Sequence, residues 1–337
     1  MKAWVLREQA AIEERPLTLE EIPTPDPGDD EIRIKTLVCG VCRTDIHIAE
    51  GDLALKKSPL VLGHQVVGVV DAVGKRVQRF QKGDRAGVYW LYRSCGTCRY
   101  CMSRQENYCP RFEATGWHQN GGYAEYMTIP ERYALPLGHP SLDPREIAPL
   151  LCPGIAGYAA LKLTGAVKGD RLGLYGFGPT AYFVLKAAQS LGMEVLVSTR
   201  SPKNIERAKK EGALWAADAS KEAMPEPLQA AIVFPPAGNL VEPALAQVER
   251  GGTVVLAPVS SSPITIDNYS ENLWGRSIQT LYNLNRVDAE EFLHLVEDLD
   301  LDIATVVVPF KDLEDALIQV KHGKAEQPNV VIQVSEP

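Results

Sequence analysis

The 337-residue chain has no uninterrupted apolar run of the roughly 18 residues that a bilayer span requires. Its start, Met1-Lys2-Ala3-Trp4-Val5-Leu6, is too short and too soon charged for an export signal. The expectation is a cytoplasmic protein with no membrane partner. It also lacks an excess of positive charge. With 35 Lys and Arg against 43 Asp and Glu, the net charge is -8, which argues against nucleic acid or an anionic membrane surface as a partner. Internal repeats and low-complexity segments are absent. What is present is ordinary: 45% hydrophobic and 23% charged residues, and enough chain for two domains, each with its own core.

Cysteine is the informative residue type. There are seven, an odd number. In a secreted chain they would suggest disulfides with one thiol left over. Without an export signal a reducing compartment is expected, and there clustered cysteines more often hold metal.

The texture changes near residue 151. Before it, short apolar runs such as 31–38 and 66–73 alternate with glycine and proline, and Gly63, Gly68, Gly74, Gly83 and Gly87 suggest the bends and bulges of a small barrel. After it, the pattern predicts strands over 172–175, 194–198, 230–234 and 252–257. Helices are predicted between them, over 179–190, 202–211 and 239–248. That alternation implies an open, parallel, doubly wound sheet. Helices over 288–299 and 313–322 and strands over 305–309 and 329–334 follow, and this tail is expected to return to the first domain.

Cys95, Cys98, Cys101 and Cys109 have the spacing C-x2-C-x2-C-x7-C. Four thiolates from one short loop suit a tetrahedral structural zinc. Two disulfides, four free thiols or an iron–sulfur cluster are the alternatives. Arg93, Arg99 and Arg104 lie near enough in sequence to offset the dianionic charge of such a site. Cys39, Cys42 and Cys152 remain, with His64 in Gly63-His64-Gln65. Taken singly, each reads as a buried small hydrophobe or a core histidine.

Gly176-Phe177-Gly178-Pro179-Thr180-Ala181 is G-x-G-x-x-A between a predicted strand and a predicted helix, the context a pyrophosphate-binding turn requires. At the end of the next strand stand Ser198-Thr199-Arg200-Ser201-Pro202-Lys203. No acid is there to bind a ribose 2′-hydroxyl, while Arg200 and Lys203 suit a 2′-phosphate. NADP is expected over NAD, with Arg200 stacking on adenine as the competing reading.

Taken together, these motifs resemble a known family. Cys39 to His47, Gly63-His64-Gln65, Lys82-Gly83-Asp84-Arg85, the four-cysteine lobe, Leu150 to Gly154 and Gly176-Phe177-Gly178 occur in the order and spacing of zinc-dependent medium-chain alcohol dehydrogenases, in particular the branch related to cinnamyl alcohol dehydrogenases. The resemblance covers essentially the whole chain. It implies an α/β architecture: a GroES-like β-rich catalytic domain from 1–150 and 285–337, and a doubly wound parallel-sheet Rossmann domain from 151–284. It implies two Zn²⁺ per chain and hydride exchange between a primary alcohol or aldehyde and NAD(P). A polyol or sorbitol-type zinc dehydrogenase is the alternative, and Cys152 and the intact lobe speak against it. A homo-oligomer, dimer or tetramer, is expected.

By position, the resemblance makes Cys42, His64 and Cys152 the catalytic zinc ligands, Cys39 a bystander, and Asp45 the carboxylate that orients the ligand histidine. Thr44 and His47 match the proton relay. Gln65 stands where many relatives have Glu. Two thiolates and a neutral histidine balance Zn²⁺, so Gln65 leaves the site neutral, and a lowered pKa of the bound alcohol or water is expected from it. Arg286 matches an arginine that reaches the cofactor, although a helix-start salt bridge explains it equally well. Trp90 and Leu91 fall where the family places pocket walls, and Trp117 is a further wall candidate.

Overall fold

The computed structural model describes residues 1–138 and 142–336. These divide into two compact units. One comprises Met1–Cys152, Asn283–Glu290 and Asp302–Pro337, and the other Pro153–Tyr282 and Glu291–Leu301.

The first unit is built on a seven-stranded sheet. Its path runs Leu135–Pro136, Arg85–Val88, Gln65–Val73, Glu31–Gly40, Asn329–Gln333 and Thr305–Pro309, and Tyr126–Pro130 also pairs with Glu31–Gly40. Pairing is antiparallel except between Thr305–Pro309 and Asn329–Gln333. A second sheet joins Leu17–Glu21, Lys2–Leu6 and Leu60–Val61. The long central strand reads apolar on alternate positions, and Ile32, Ile34, Val38 and Cys39 are fully buried. Its ladder slips between Arg33 and Ile34 and again between Thr36 and Val38, irregularities of the kind expected where a sheet curls.

One register matters most for function. Gly40 lies opposite Gln65, and Cys39 opposite Val66. Cys42, just past the end of one strand, and His64, just before the start of its partner, therefore emerge at the same end of the sheet. Gly40 is glycine for want of space: a Cβ there would come within 2.5 Å of the Gln65 carboxamide oxygen.

The second unit is a six-stranded, wholly parallel sheet: Trp215–Ala217, Glu194–Ser198, Arg171–Tyr175, Leu228–Val233, Val248–Leu256 and Ser277–Thr280. Counted along the chain the order is 3-2-1-4-5-6, the doubly wound dinucleotide-binding arrangement. The chain crosses over sequentially on each side of Arg171–Tyr175.

Several predicted elements match to the residue, among them the helix Pro179–Ser190 and the strands Glu194–Ser198 and Thr305–Pro309. Others shift. The helix predicted over 239–248 is a 3-10 turn, Gly238–Leu240, followed by Val241–Gln247, and Val248 already begins the next strand. The helix at 288–299 runs Arg286–Val296, and its Phe292 packs beneath Gly154 and beside Tyr158 and Phe183 in the second unit. One segment, interrupted by charged residues, approaches a bilayer span. Pro144–Thr164 is long and apolar enough by length and composition, but 67% of its most apolar stretch is buried inside the protein, as in a core segment.

Candidate active site

Cys42, His64 and Cys152 offer three ligand atoms that all lie within 4.8 Å of one another. The Cys42 and Cys152 sulfurs are 3.9 Å apart and unbonded. Two thiolates on a tetrahedral Zn²⁺, each about 2.3 Å from it, would sit about 3.8 Å apart. The donor set and its spacing fit zinc.

The start of the helix Arg43–Glu50 positions one of these three residues. Cys42 is its N-cap: the sulfur accepts from the Thr44 backbone N–H at 3.5 Å, and Asp45 Oδ2 accepts from Cys42 N at 2.9 Å. A capping box thus fixes the Cys42 thiol and the carboxylate that faces His64 in one turn. Asp45 is completely buried. Besides Cys42 N, it accepts from Tyr123 Oη at 2.9 Å and Gly63 N at 3.3 Å. Its Oδ1 lies 3.2 Å from His64 Nδ1, a charge contact too far off axis for a well-formed hydrogen bond. With Nδ1 turned to Asp45, Nε2 is left for the metal.

Charge follows this geometry. Burial alone would lower the His64 pKa; Asp45 and then Cys42 outweigh it and hold the imidazole at about 10. Contact with Cys152, assisted by His64 and Thr44, pulls the Cys42 thiol well below its ordinary value against the opposing effect of burial. The Cys42 contact and burial push Cys152 up. Cys39 is buried against Gly63 and Gly122, outside the cluster, and burial raises its thiol.

Thr44 Oγ1 is 3.5 Å from Cys42 Sγ. His47, one turn further along the helix, is partly exposed, and its Nδ1 lies 2.7 Å from Asp52 Oδ2. Sequence reading missed Asp52. Gly51 ends the helix at φ 93°, a left-handed conformation that turns the chain so that Asp52 returns to His47. A glycine followed by an acid after a helix was the available signal.

Cys95, Cys98, Cys101 and Cys109 form a second cluster, of four residues, again with ligand atoms within 4.8 Å. Sulfur separations of 3.8 Å (Cys95–Cys101) and 3.6 Å (Cys98–Cys101) suit a tetrahedral ion. Backbone N–H groups of Cys95, Cys98 and Arg111 donate to these sulfurs. Backbone donation from Thr97 and Cys98 pulls Cys95 down to about 5. Of the nearby arginines, Arg93 pairs with Glu31 at 3.2 Å.

In the second unit, Gly176 follows the strand Arg171–Tyr175 at φ 90°, where any side chain would be strained and a Cβ would press on Pro235. Gly178 caps the helix Pro179–Ser190, and nothing lies within 4 Å of the place its Cβ would take, which leaves an open cradle at a helix N-terminus. Ala181 is fully buried. Ser201 caps the helix Pro202–Lys210, and the Thr199 N–H donates to Ala217 O. Arg200 and Lys203 are exposed.

The alcohol dehydrogenase GroES-like domain family matches residues 28–139. A probable alcohol dehydrogenase, AdhA, of Mycobacterium tuberculosis is 38% identical over 332 residues, 96% of this chain and 95% of its own length. An alcohol dehydrogenase of Geobacillus stearothermophilus is 32% identical over the full length of both. Among solved structures, a cinnamyl alcohol dehydrogenase of Sorghum bicolor matches with a TM-score of 0.87 and 27% identity, covering 100% of this chain and 99% of that one.

The chain belongs to the zinc-dependent medium-chain alcohol dehydrogenase family. It is an oxidoreductase.

Around His64 of the dehydrogenase the structure gathers two of the three residues expected to form the pocket wall. The Trp90 ring stands edge-on to His64, with centroids 5.1 Å apart, and stacks on Trp117 at 6.0 Å. Leu91 is fully buried and pairs with Ala114 in the two-stranded base of the lobe. Gln65, buried beside His64 in sequence, rests its carboxamide on Gly40. Arg286 lies in the first unit, where it pairs with Glu290 at 3.1 Å and faces Glu106 at 3.6 Å.

Proposed function

We propose that this enzyme oxidises primary alcohols and reduces the matching aldehydes, exchanging hydride with NADP in preference to NAD. One observation carries the reading: Cys42, His64 and Cys152, from three separate parts of the chain, converge within 4.8 Å with buried Asp45 behind the histidine. Cys42, His64 and Cys152 would hold one zinc, and Cys95, Cys98, Cys101 and Cys109 a second. Bound at the first site, the metal supplies Lewis acidity that eases loss of the alcohol's hydroxyl proton.

The chain's own groups manage that proton. The Thr44 hydroxyl beside Cys42 is the acceptor nearest the ligand set, and His47, paired with Asp52 and partly exposed, passes the proton to solvent. Trp90 and Trp117 form the wall that limits substrate size. The unit containing these residues acts as the catalytic domain, and the parallel-sheet unit as the nucleotide-binding domain.

At the nucleotide site, Gly176, Gly178 and Ala181 favour a pyrophosphate on the helix N-terminus. The absence of an acid after Ser198, with exposed Arg200 and Lys203, favours a 2′-phosphate. The short strand Ser277–Thr280, exposed along one side at the sheet's edge, supports pairing between copies into a dimer or tetramer. Seven cysteines without a disulfide agree with a cytoplasmic setting.

The test is a panel of primary alcohols and aldehydes assayed with each cofactor. Turnover with a higher kcat/KM for NADP than for NAD is expected. Failure of every alcohol and aldehyde refutes the reaction, and a strong NAD preference refutes the cofactor assignment.

A further inference from the structure

Trp90 touches the histidine of the ligand cluster, yet its orientation is fixed from elsewhere. Its indole N–H donates to Asn283 Oδ1 at 3.0 Å. Asn283 sits in left-handed backbone, φ 53°, a conformation that asparagine tolerates better than most side chains. Its Nδ2 donates to the backbone carbonyl of Asn107 at 3.4 Å. Asn107 belongs to the 3-10 turn Glu106–Tyr108, inside the four-cysteine lobe between Cys101 and Cys109. Its neighbour Glu106 is completely buried, neither carboxylate oxygen has a hydrogen-bond partner among the described residues, and it faces the Arg286 guanidinium. A buried carboxylate in that position depends on its cation.

The segment from Asn283 to Arg286 therefore holds two consecutive lobe residues with one set of atoms and the Trp90 indole with another. We propose that the four-cysteine lobe is a specificity element of this enzyme: acting through Asn283, it positions Trp90 against His64 and so sets which alcohols fit. Asn283 and Glu106 are positioning residues. The claim about alcohols rests on the dehydrogenase reading above; the mechanical coupling does not.

The logic is geometric. Stacking on Trp117 and edge contact with His64 leave the rotation of the ring within its own plane least constrained, and the hydrogen bond at Nε1 fixes that direction. Asn283 reaches Trp90 through its acceptor and the lobe through its donor, so one carboxamide links the two. A displaced lobe turn moves the carboxamide, and the carboxamide moves the ring.

The experiment uses the zinc-loaded full chain labelled with ¹⁵N-tryptophan. The Trp90 indole signal is identified by its loss in Trp90→Phe. Asn283→Gly keeps the left-handed backbone and removes the carboxamide. It should shift the Trp90 indole signal and speed its hydrogen exchange, with the indole signals of Trp4, Trp215 and Trp274 unmoved and any further shift confined to Trp117, which stacks on Trp90. Glu106→Gln, which loosens the lobe turn, should shift the same signal in the unmodified background but not in the Asn283→Gly background, as coupled positions do. The ratio of kcat/KM for benzyl alcohol to that for ethanol should change roughly ten-fold in Asn283→Gly.

An unmoved Trp90 signal in Asn283→Gly overturns the proposal. So does a Glu106→Gln shift that persists without the carboxamide, or a substrate ratio that stays put while the indole moves. If the unmodified enzyme turns over no alcohol, the functional reading fails, and the indole signals alone still decide the coupling.

Discussion

Asp45 does more than any other single residue at the site. It closes the capping box on Cys42, receives Tyr123, and faces His64. Asp45→Asn keeps the shape and removes the charge, and zinc at the first site should dissociate roughly 10- to 100-fold more readily. Competition with a chelator measures this, and retention equal to the unmodified enzyme would count against the role. The histidine adds a pH dependence. His64 is held at about 10 in the metal-free protein, against about 6.5 in an unfolded chain. The pKa is raised, so its contribution to stability is complete below about pH 6.5 and is lost as pH rises through about 10. Metal must displace that proton. Zinc added near neutral pH in weak buffer should release protons, and affinity should climb between pH 6 and 10. Gln65 bears on charge as well: Gln65→Glu adds a negative charge beside the ligands and should move the acidic limb of the pH–rate profile, whereas an unchanged limb removes the electrostatic role given to Gln65. Residues such as Asp52 and Asn283 escaped the sequence reading because their partners depend on left-handed turns, at Gly51 and at Asn283 itself, that no periodicity announces.

Elements differ in how legible they are. The helix Pro179–Ser190 was readable because proline and a glycine turn mark its start. The helix Pro153–Thr164 was not, because it is apolar nearly all round and shows no amphipathic stripe. The strand Val248–Leu256 begins early because Val248 packs into the core under the sheet instead of ending the preceding helix. The four-cysteine lobe was legible from spacing alone, although spacing could not separate Cys39 from Cys42; the family resemblance did that. Gly178→Val places a side chain where nothing now lies within 4 Å, so the fold should survive while cofactor affinity falls by about ten-fold or more. Titration of cofactor fluorescence reads this, and unchanged affinity would mean that the turn does not hold the pyrophosphate. Cys98→Ser should lower the melting temperature and reduce the zinc count by one while the first site stays loaded.

Across the whole molecule, the antiparallel register that sets Gly40 opposite Gln65 brings Cys42 and His64 to one end of a sheet, and Cys152 completes the cluster at the last residue before the second unit. The seven cysteines divide into four, two and one: a lobe, a pair completed by His64, and the buried bystander Cys39. Asn283 hydrogen-bonds both Trp90, beside His64, and Asn107 of the four-cysteine lobe. The most direct measurement is zinc per chain, by elemental analysis, in the unmodified enzyme and in Cys152→Ser, with alcohol oxidation followed in both. The account predicts two zincs and activity in the first, and one zinc with activity abolished in the second. Two zincs retained in Cys152→Ser, or activity surviving the loss of one, would contradict it.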